Sequence, residues 1–413
     1  MSRNLVVCLD GTSNEFGRHN TNVVRLYQAL VDDPAKQRCY YDPGVGTMGH
    51  PGAITTAAKR LTKVLGMAFG LGATQNILDA YAFLMREYQS EDRIWIFGFS
   101  RGALEARALA ALLHRCGLLK PELETLAPYA VNVSRTVSRK KDRDAWKLEQ
   151  EDYDRVAGEF TSTFSRAVKV HFLGLWDTVT SMGSVWSPKT WPYTTNNPSV
   201  VHVRHAIALD ERRSFFRQNR WGSYRPEGHT LEEVWFAGVH SDVGGGYPAD
   251  ESDLWTHPLE WMAKEAEEKE LLLKPNVLGS VMETSREACR NRGNPSQLHD
   301  SMKGAFPLWY IAEFVPKPRR REIAKGEYRT EIIWPVRHWF MPWLMNTGKM
   351  GRARAIGRAR MLNAGEQVHR SAIQRFHDDP TYRPDSLVKI GMTEDKAKEF
   401  LDTGAETYPV PGP

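Results

Sequence analysis

Cysteine is scarce in this chain: there are four among 413 residues, at Cys8, Cys39, Cys116 and Cys289, without metal-ligand spacing. That excludes a disulfide-stapled scaffold and a thiolate metal site, and it predicts packed thiols in a reducing compartment. Long apolar runs are missing as well. The first, "LVVCL", stops at Asp10 and is too short for the core of a signal peptide, so the chain is expected to be cytoplasmic as made, with any secretion by a signal-independent route. The nearest approach to a membrane span, "VLGMAFGLGATQNILDAYAFLM", is interrupted by glycines, Asn76 and Asp79, whereas crossing a bilayer takes about 18 or more apolar residues. A phosphate loop is absent too: the triglycine of "HSDVGGGYP" has neither the lysine nor the helix opening that such a loop needs.

What remains is an ordinary soluble composition, 41% hydrophobic and 25% charged, which predicts a folded chain with a large core. The net charge of +5 is unevenly spread. Lys317 to Arg360 holds 12 Lys/Arg against 3 Asp/Glu, a local +9, and leaves −4 for the rest. The same segment carries "IIWPVRHWFMPWLM". Aromatics beside cations fit contact with an anionic membrane surface through residues 317–360; the alternative is a solvated basic face with tryptophans packed in a lid. Nucleic acid is an unlikely partner, because no reader motif accompanies the charge.

Along the first third, strand-like and helix-like segments alternate, the pattern of a parallel sheet covered by helices. "NLVVCL", "RCYY" and "RIWIF" predict strands, while "NVVRLYQALV" and the spacing of Ile77, Tyr81, Leu84, Met85 and Tyr88 predict helices. Residues 118–166 are polar and helix-prone, as an insertion would be. "AVKVHFLGLW" predicts a strand, "VVHVRHAIALDE" a helix, and "EEVWFAGV" a strand running into His240. The looser pattern of 250–360 predicts a cap or lid. The expected organisation is one catalytic domain over 1–395, with a C-terminal tail over 396–413 ending in "YPVPGP".

Chemistry concentrates at "RIWIFGFSRGALEARALAALL", where a predicted strand runs into a helix through the G-x-S-x-G of "GFSRG". A serine on such a tight turn needs small neighbours, since side chains there collide with the turn and the adjoining strand. Ser100 is therefore a candidate nucleophile rather than only a helix cap. A serine hydroxyl needs a base, and the base an orienting carboxylate, both at carboxyl ends of parallel strands. "HFLGLWD" ends in Asp177 and "VWFAGVH" in His240, giving the chain order Ser, Asp, His of α/β-hydrolases. The oxyanion donors expected are the backbone N–H groups of Arg101 and of Thr12, in "CLDGTSNEF" after the first strand. Asp10 and Gly11 would support that loop; pairing of Asp10 with Asp242 as metal ligands is a weaker alternative. Neither a metal nor a cofactor is expected.

Seven segments, "CLDGT", "YYDPGVGT", "AFGLGATQNILDAY", "FGFSRGALEAR", "FLGLWDTV", "GVHSDVGGGY" and "VHRSAIQRF" with "YRPDSL", together resemble the α/β-hydrolase lipase effectors of bacterial type VI secretion, first lipase class, and their relatives. The resemblance implies an α/β-hydrolase-like fold, a mostly parallel central sheet flanked by helices with helical insertions forming a cap. It also implies a phospholipase or lipase cleaving acyl esters through Ser100, His240 and Asp177. An immunity protein or secretion adaptor is a possible partner on the same ground. The rival readings are a small-ester housekeeping esterase and a non-catalytic membrane- or protein-binding member of the fold.

Overall fold

The strand segments are apolar on alternate positions for two different neighbours, and this sandwiches the sheet between two helical layers. In Asn4–Leu9 (β1) every residue is buried. Leu5, Val7 and Leu9 enter one core layer, and Val6 and Cys8 enter the other, as the period of two in a strand requires. Arg93–Phe99 (β3) repeats the division, with Ile94 and Ile96 on one side and Trp95, Phe97 and Phe99 on the other. The computed structural model describes residues 2–11, 19–44, 69–136, 143–179, 183–184, 187–188, 191–213, 216, 219–222, 226–293, 297–301, 317–324, 327–333 and 360–412.

Between β1 and β3 lie helix α1 (Asn22–Ala29), strand β2 (Gln37–Asp42) and helix α2 (Phe69–Glu87). After β3 come helices α3 (Arg101–Cys116), α4 (Ala127–Arg135) and α5 (Arg143–Phe164), then strands β4 (Val170–Trp176), β5 (Val200–Ala208) and β6 (Thr230–Phe236). Next follow helices α6 (His240–Gly244), α7 (Thr256–Glu267) and α8 (Val277–Asn291), strand β7 (Gln367–His369), helices α9 (Arg370–Asp378), α10 (Asp385–Lys389) and α11 (Glu394–Asp402), and strand β8 (Thr407–Pro409). The eight strands form one sheet in the order β8-β7-β6-β5-β4-β3-β1-β2. All pairs are parallel except β7 with β8. The fold is α/β-hydrolase-like.

The order places the functional crevice. The chain leaves β1 for β2 on one side and returns to β3 on the other, while α1 packs on one face of the sheet and α3 on the opposite face. The carboxyl ends of β1 and β3 therefore flank a topological switch point, where open α/β sheets bind ligands.

Three expectations are corrected. Residues 200–208 are the central strand β5 rather than a helix, parallel to β4 and β6 on either side. Its polar residues are buried in pairs, Arg204 with Glu265 at 2.6 Å and His205 with Glu233 at 2.9 Å. Within the expected lid, α7 and α8 instead line the sheet: Trp261, Met262 and Met282 share a core with Val6, Trp95 and Phe97. The expected tail is integral as well. Helix α11 buries Ala397 and Phe400, β8 pairs with β7, and Val410 is buried in a third core with Trp235 and Phe376. The basic segment 317–360 lies mostly outside the described residues; the backbone of Lys317–Ala324 and Glu327–Ile333 forms an antiparallel hairpin there. Cys8, Cys116 and Cys289 are buried and Cys39 half-buried, all as free thiols. Among the described residues, no helix is long and apolar enough to cross a membrane.

Candidate active site

Ser100 sits between β3 and α3 with φ 59° and ψ −117°, a conformation a non-glycine residue avoids. Such a backbone costs of order 1–3 kcal/mol and persists only where its surroundings dictate it. Here the Ser100 N–H donates to the Trp176 carbonyl of β4 at 3.1 Å. The flanking glycines have definite steric reasons. A Cβ on Gly98 would lie 2.5 Å from the Gly102 carbonyl oxygen, and one on Gly102 would lie 2.1 Å from the Leu9 carbonyl oxygen. The second contact shows how closely α3 begins beside the end of β1. Gly102→Ala is expected to destabilise the fold by at least the roughly 1–3 kcal/mol of an overpacked core, because the obstruction is backbone rather than a side chain that can turn away. Denaturant titration measures it; an unchanged midpoint would contradict this packing.

His240 opens α6 just past β6 and faces Ser100, its Nε2 lying 2.8 Å from the Ser100 Oγ. Its Nδ1 lies 2.6 Å from Oδ2 of Asp177, which follows the end of β4. Phe99 and Phe216 pack on the imidazole, at ring-centroid distances of 4.7 and 4.8 Å. Glu211, after β5, accepts the backbone N–H of His240 at 3.2 Å and receives Arg213 at 2.8 Å. Burial pushes the His240 pKa down, and the Asp177 carboxylate opposes this without reversing it. The imidazole is therefore neutral at neutral pH. Burial pushes the Asp177 carboxyl up, yet the guanidinium of Arg360 and the hydrogen bond with His240 outweigh it and hold the group below the usual carboxylate range. A neutral imidazole with its Nδ1–H donated to an ionised carboxylate leaves Nε2 as an acceptor towards the serine hydroxyl.

The supporting residues divide. Asp10 accepts from the Gly11 N–H at 2.6 Å, the Thr21 hydroxyl at 2.7 Å and the Tyr41 hydroxyl at 3.1 Å. Thr21 also caps α1 and bridges to Gly245, so Asp10 links the end of β1 to the loop behind His240. Arg101 is the first residue of α3, and the leading N–H groups of a helix point out of its end, where a negative charge is favoured. Thr12 lies outside the described residues. Asp242 accepts the Val239 N–H at 3.1 Å and holds His299 at 2.6 Å, so it caps the helix carrying His240. Among the described residues no cluster of His, Cys, Asp and Glu could hold a metal ion. Two of the glycines after His240 serve close approach: a Cβ on Gly244 would lie 1.9 Å from the Phe99 ring, and one on Gly245 2.9 Å from the Asn22 backbone nitrogen.

Sequence reasoning missed Arg360, Glu211 and the two rings on His240. Phe99 stands in the elbow motif itself, and Glu211 is the last residue of the segment misread as a helix. Nothing in the basic run of "GRARAIGRAR" singles out Arg360.

Against this geometry, the family model of the type VI secretion system phospholipase effector Tle1-like catalytic domain matches residues 3–265. The chain belongs to this family. The Tle1-like match begins just before β1 and ends within α7, so it includes Ser100, Asp177 and His240, while Arg360 lies beyond it. An uncharacterised protein of Saccharomyces cerevisiae, YEL023C, is 39% identical over 225 residues, which are 52% of this chain and 32% of the yeast protein. The chain thus spans about a third of the length of that relative. Two solved structures are similar at a TM-score of 0.38. One is an uncharacterised Pseudomonas aeruginosa protein, 17% identical, covering 76% of this chain and 52% of that one. The other is the Tle1 effector bound to the VgrG spike of the type 6 secretion system, 15% identical, covering 75% of this chain and 83% of that one. The expected resemblance to type VI lipase effectors is borne out by the Tle1-like match.

Proposed function

We propose that this protein is a serine ester hydrolase of phospholipase or lipase type, and that residues 1–395, with the C-terminal segment packed on them, act as one catalytic domain. The observation that carries the reading is the hydrogen-bonded array Ser100–His240–Asp177, with contacts of 2.8 and 2.6 Å, on a serine held at positive φ. His240 takes the proton of the Ser100 hydroxyl as its oxygen attacks the ester carbonyl. The Arg101 N–H, with a second donor from the loop after β1 for which Thr12 is the candidate, stabilises the oxyanion. His240 then protonates the leaving alcohol, and water, activated in turn by His240, releases the fatty acid from the acyl-enzyme. Tle1-like membership favours phospholipid as the substrate, and the local +9 of Lys317 to Arg360 favours an anionic surface as its setting. A secretion adaptor and an immunity protein are proposed partners on the family ground alone.

Fatty-acid release from vesicles of mixed anionic phospholipid, with wild type and Ser100→Ala side by side, tests this. Release by wild type alone is expected. It should rise with pH through a midpoint below the ordinary imidazole value of about 6.5, because the base must be deprotonated and burial lowers the pKa of His240. Equal release by both proteins ends the reading. Silence from both on vesicles and soluble esters alike, with no fluorophosphonate labelling of Ser100, favours a binding protein on a hydrolase fold.

A further inference from the structure

Asp177 makes more contacts than an orienting carboxylate requires. Its Oδ2 receives His240 Nδ1 at 2.6 Å, and its Oδ1 accepts the Ala208 N–H at 3.0 Å. The Arg360 guanidinium meets both oxygens, Nη2 reaching Oδ2 at 3.1 Å and Nη1 pairing with Oδ1. Nη1 also donates to the Ala208 carbonyl at 2.8 Å, and Nη2 donates to the Phe216 carbonyl at 2.5 Å. One buried side chain thus ties the carboxylate to the end of β5 and to the segment whose Phe216 ring covers His240. The residue comes from beyond the span matched by the family model.

We propose that Arg360 is a positioning residue for the array, its guanidinium fork fixing the plane and rotamer in which Asp177 receives the Nδ1–H of His240. This rests on the reading of the array as an acyl-transfer site. A planar fork suits the task because two parallel N–H···O contacts fix orientation as well as charge, which an ammonium cannot do. Among the described residues, the charges around the imidazole and its carboxylate are Asp177, Glu211, Arg213 and Arg360, with the buried His205 behind Asp177. His205 donates to Glu233 and accepts the Thr178 N–H at 3.3 Å, and burial keeps it neutral. Of the two cations, only Arg360 neutralises Asp177 directly. Without it the unscreened carboxylate holds the proton of His240 more tightly and regains its own proton more easily, and both effects move the acidic limb of activity upward.

The test is the pH dependence of kcat and KM for a soluble ester in Arg360→Met and Arg360→Lys, with the titration of His240 followed by NMR. In the methionine variant kcat should fall on the order of ten- to a hundredfold, as is usual when a group orienting a reacting residue is lost. Its acidic limb should move up by about one pH unit, with KM unchanged. The lysine variant keeps the charge, so its kcat should fall while the limb stays. A folded methionine variant with the wild-type limb overturns the proposal, whether its kcat is unchanged or falls evenly at every pH. If the methionine variant does not fold, the lysine variant decides: unchanged kcat and an unshifted His240 Nδ1–H resonance overturn the proposal. Because the His240 titration needs no turnover, it reads Arg360 even if fluorophosphonate fails to label wild-type Ser100 and the hydrolase reading falls.

Discussion

Replacing His240 with alanine is expected to lower ester turnover by on the order of a million-fold, and adding Ser100→Ala is expected to lower it no further. The reason is geometric. His240 Nε2 lies 2.8 Å from the Ser100 Oγ, and the lowered pKa of the buried imidazole leaves that nitrogen to accept the hydroxyl proton. A serine without that base is a weak nucleophile, and a base without the serine has nothing to deprotonate, so each loss removes the whole unit. What survives should come from the oxyanion donors at the start of α3 and from substrate binding, a residual of about 10³–10⁴ over water in comparable sites. Single-turnover kinetics on a soluble ester measures the cycle. A double variant a further hundredfold slower than His240→Ala would mean that the two residues act independently, and the proposed relay would be abandoned.

The legible part of the site was its chain order. Strand ends are conspicuous when the preceding residues are apolar on both faces, as in β3, β4 and β6, and each of these strands runs into one member of the array. β5 was misread because Arg204 and His205 interrupt its apolar run. Val200, Val203, Ala206 and Ile207 then fall at helical intervals, and periodicity cannot show that Arg204 is paired with Glu265 and that His205 is hydrogen-bonded to Glu233, both from other elements. The final strand was missed for a different reason. Thr407–Pro409 joins the sheet beside Gln367–His369, and backbone pairing leaves little signal in three side chains of which the last is a proline. Arg360 shows the wider limit: twelve Lys/Arg share its segment, and only the fold brings one guanidinium to a carboxylate 183 residues away.

That guanidinium also fixes what an amide in place of the carboxylate must do. In Asp177→Asn the Oδ1 position still faces two donors, the Ala208 N–H at 3.0 Å and Arg360 Nη1, so the amide oxygen belongs there. The amide nitrogen is then directed to the Oδ2 position, 2.6 Å from His240 Nδ1. Two donors cannot share that contact, so Nδ1 must become the acceptor and the imidazole proton must move to Nε2, opposite the Ser100 hydroxyl. A histidine in that tautomer cannot take the serine proton. Turnover is expected to drop by about 10⁴-fold; the amide keeps the shape of the carboxylate but leaves the buried Arg360 without its counter-charge, so stability falls too, and turnover is compared at a temperature where circular dichroism shows the variant folded. ¹⁵N shifts of His240 should report a protonated Nε2 in the variant and a protonated Nδ1 in the wild type. Activity within tenfold of wild type would show that Asp177 does not set the tautomer, and the carboxylate would then have to be assigned a structural role alongside Arg360. Loss of turnover with the wild-type tautomer retained would instead point to the negative charge itself, needed to stabilise the imidazolium as the proton leaves Ser100.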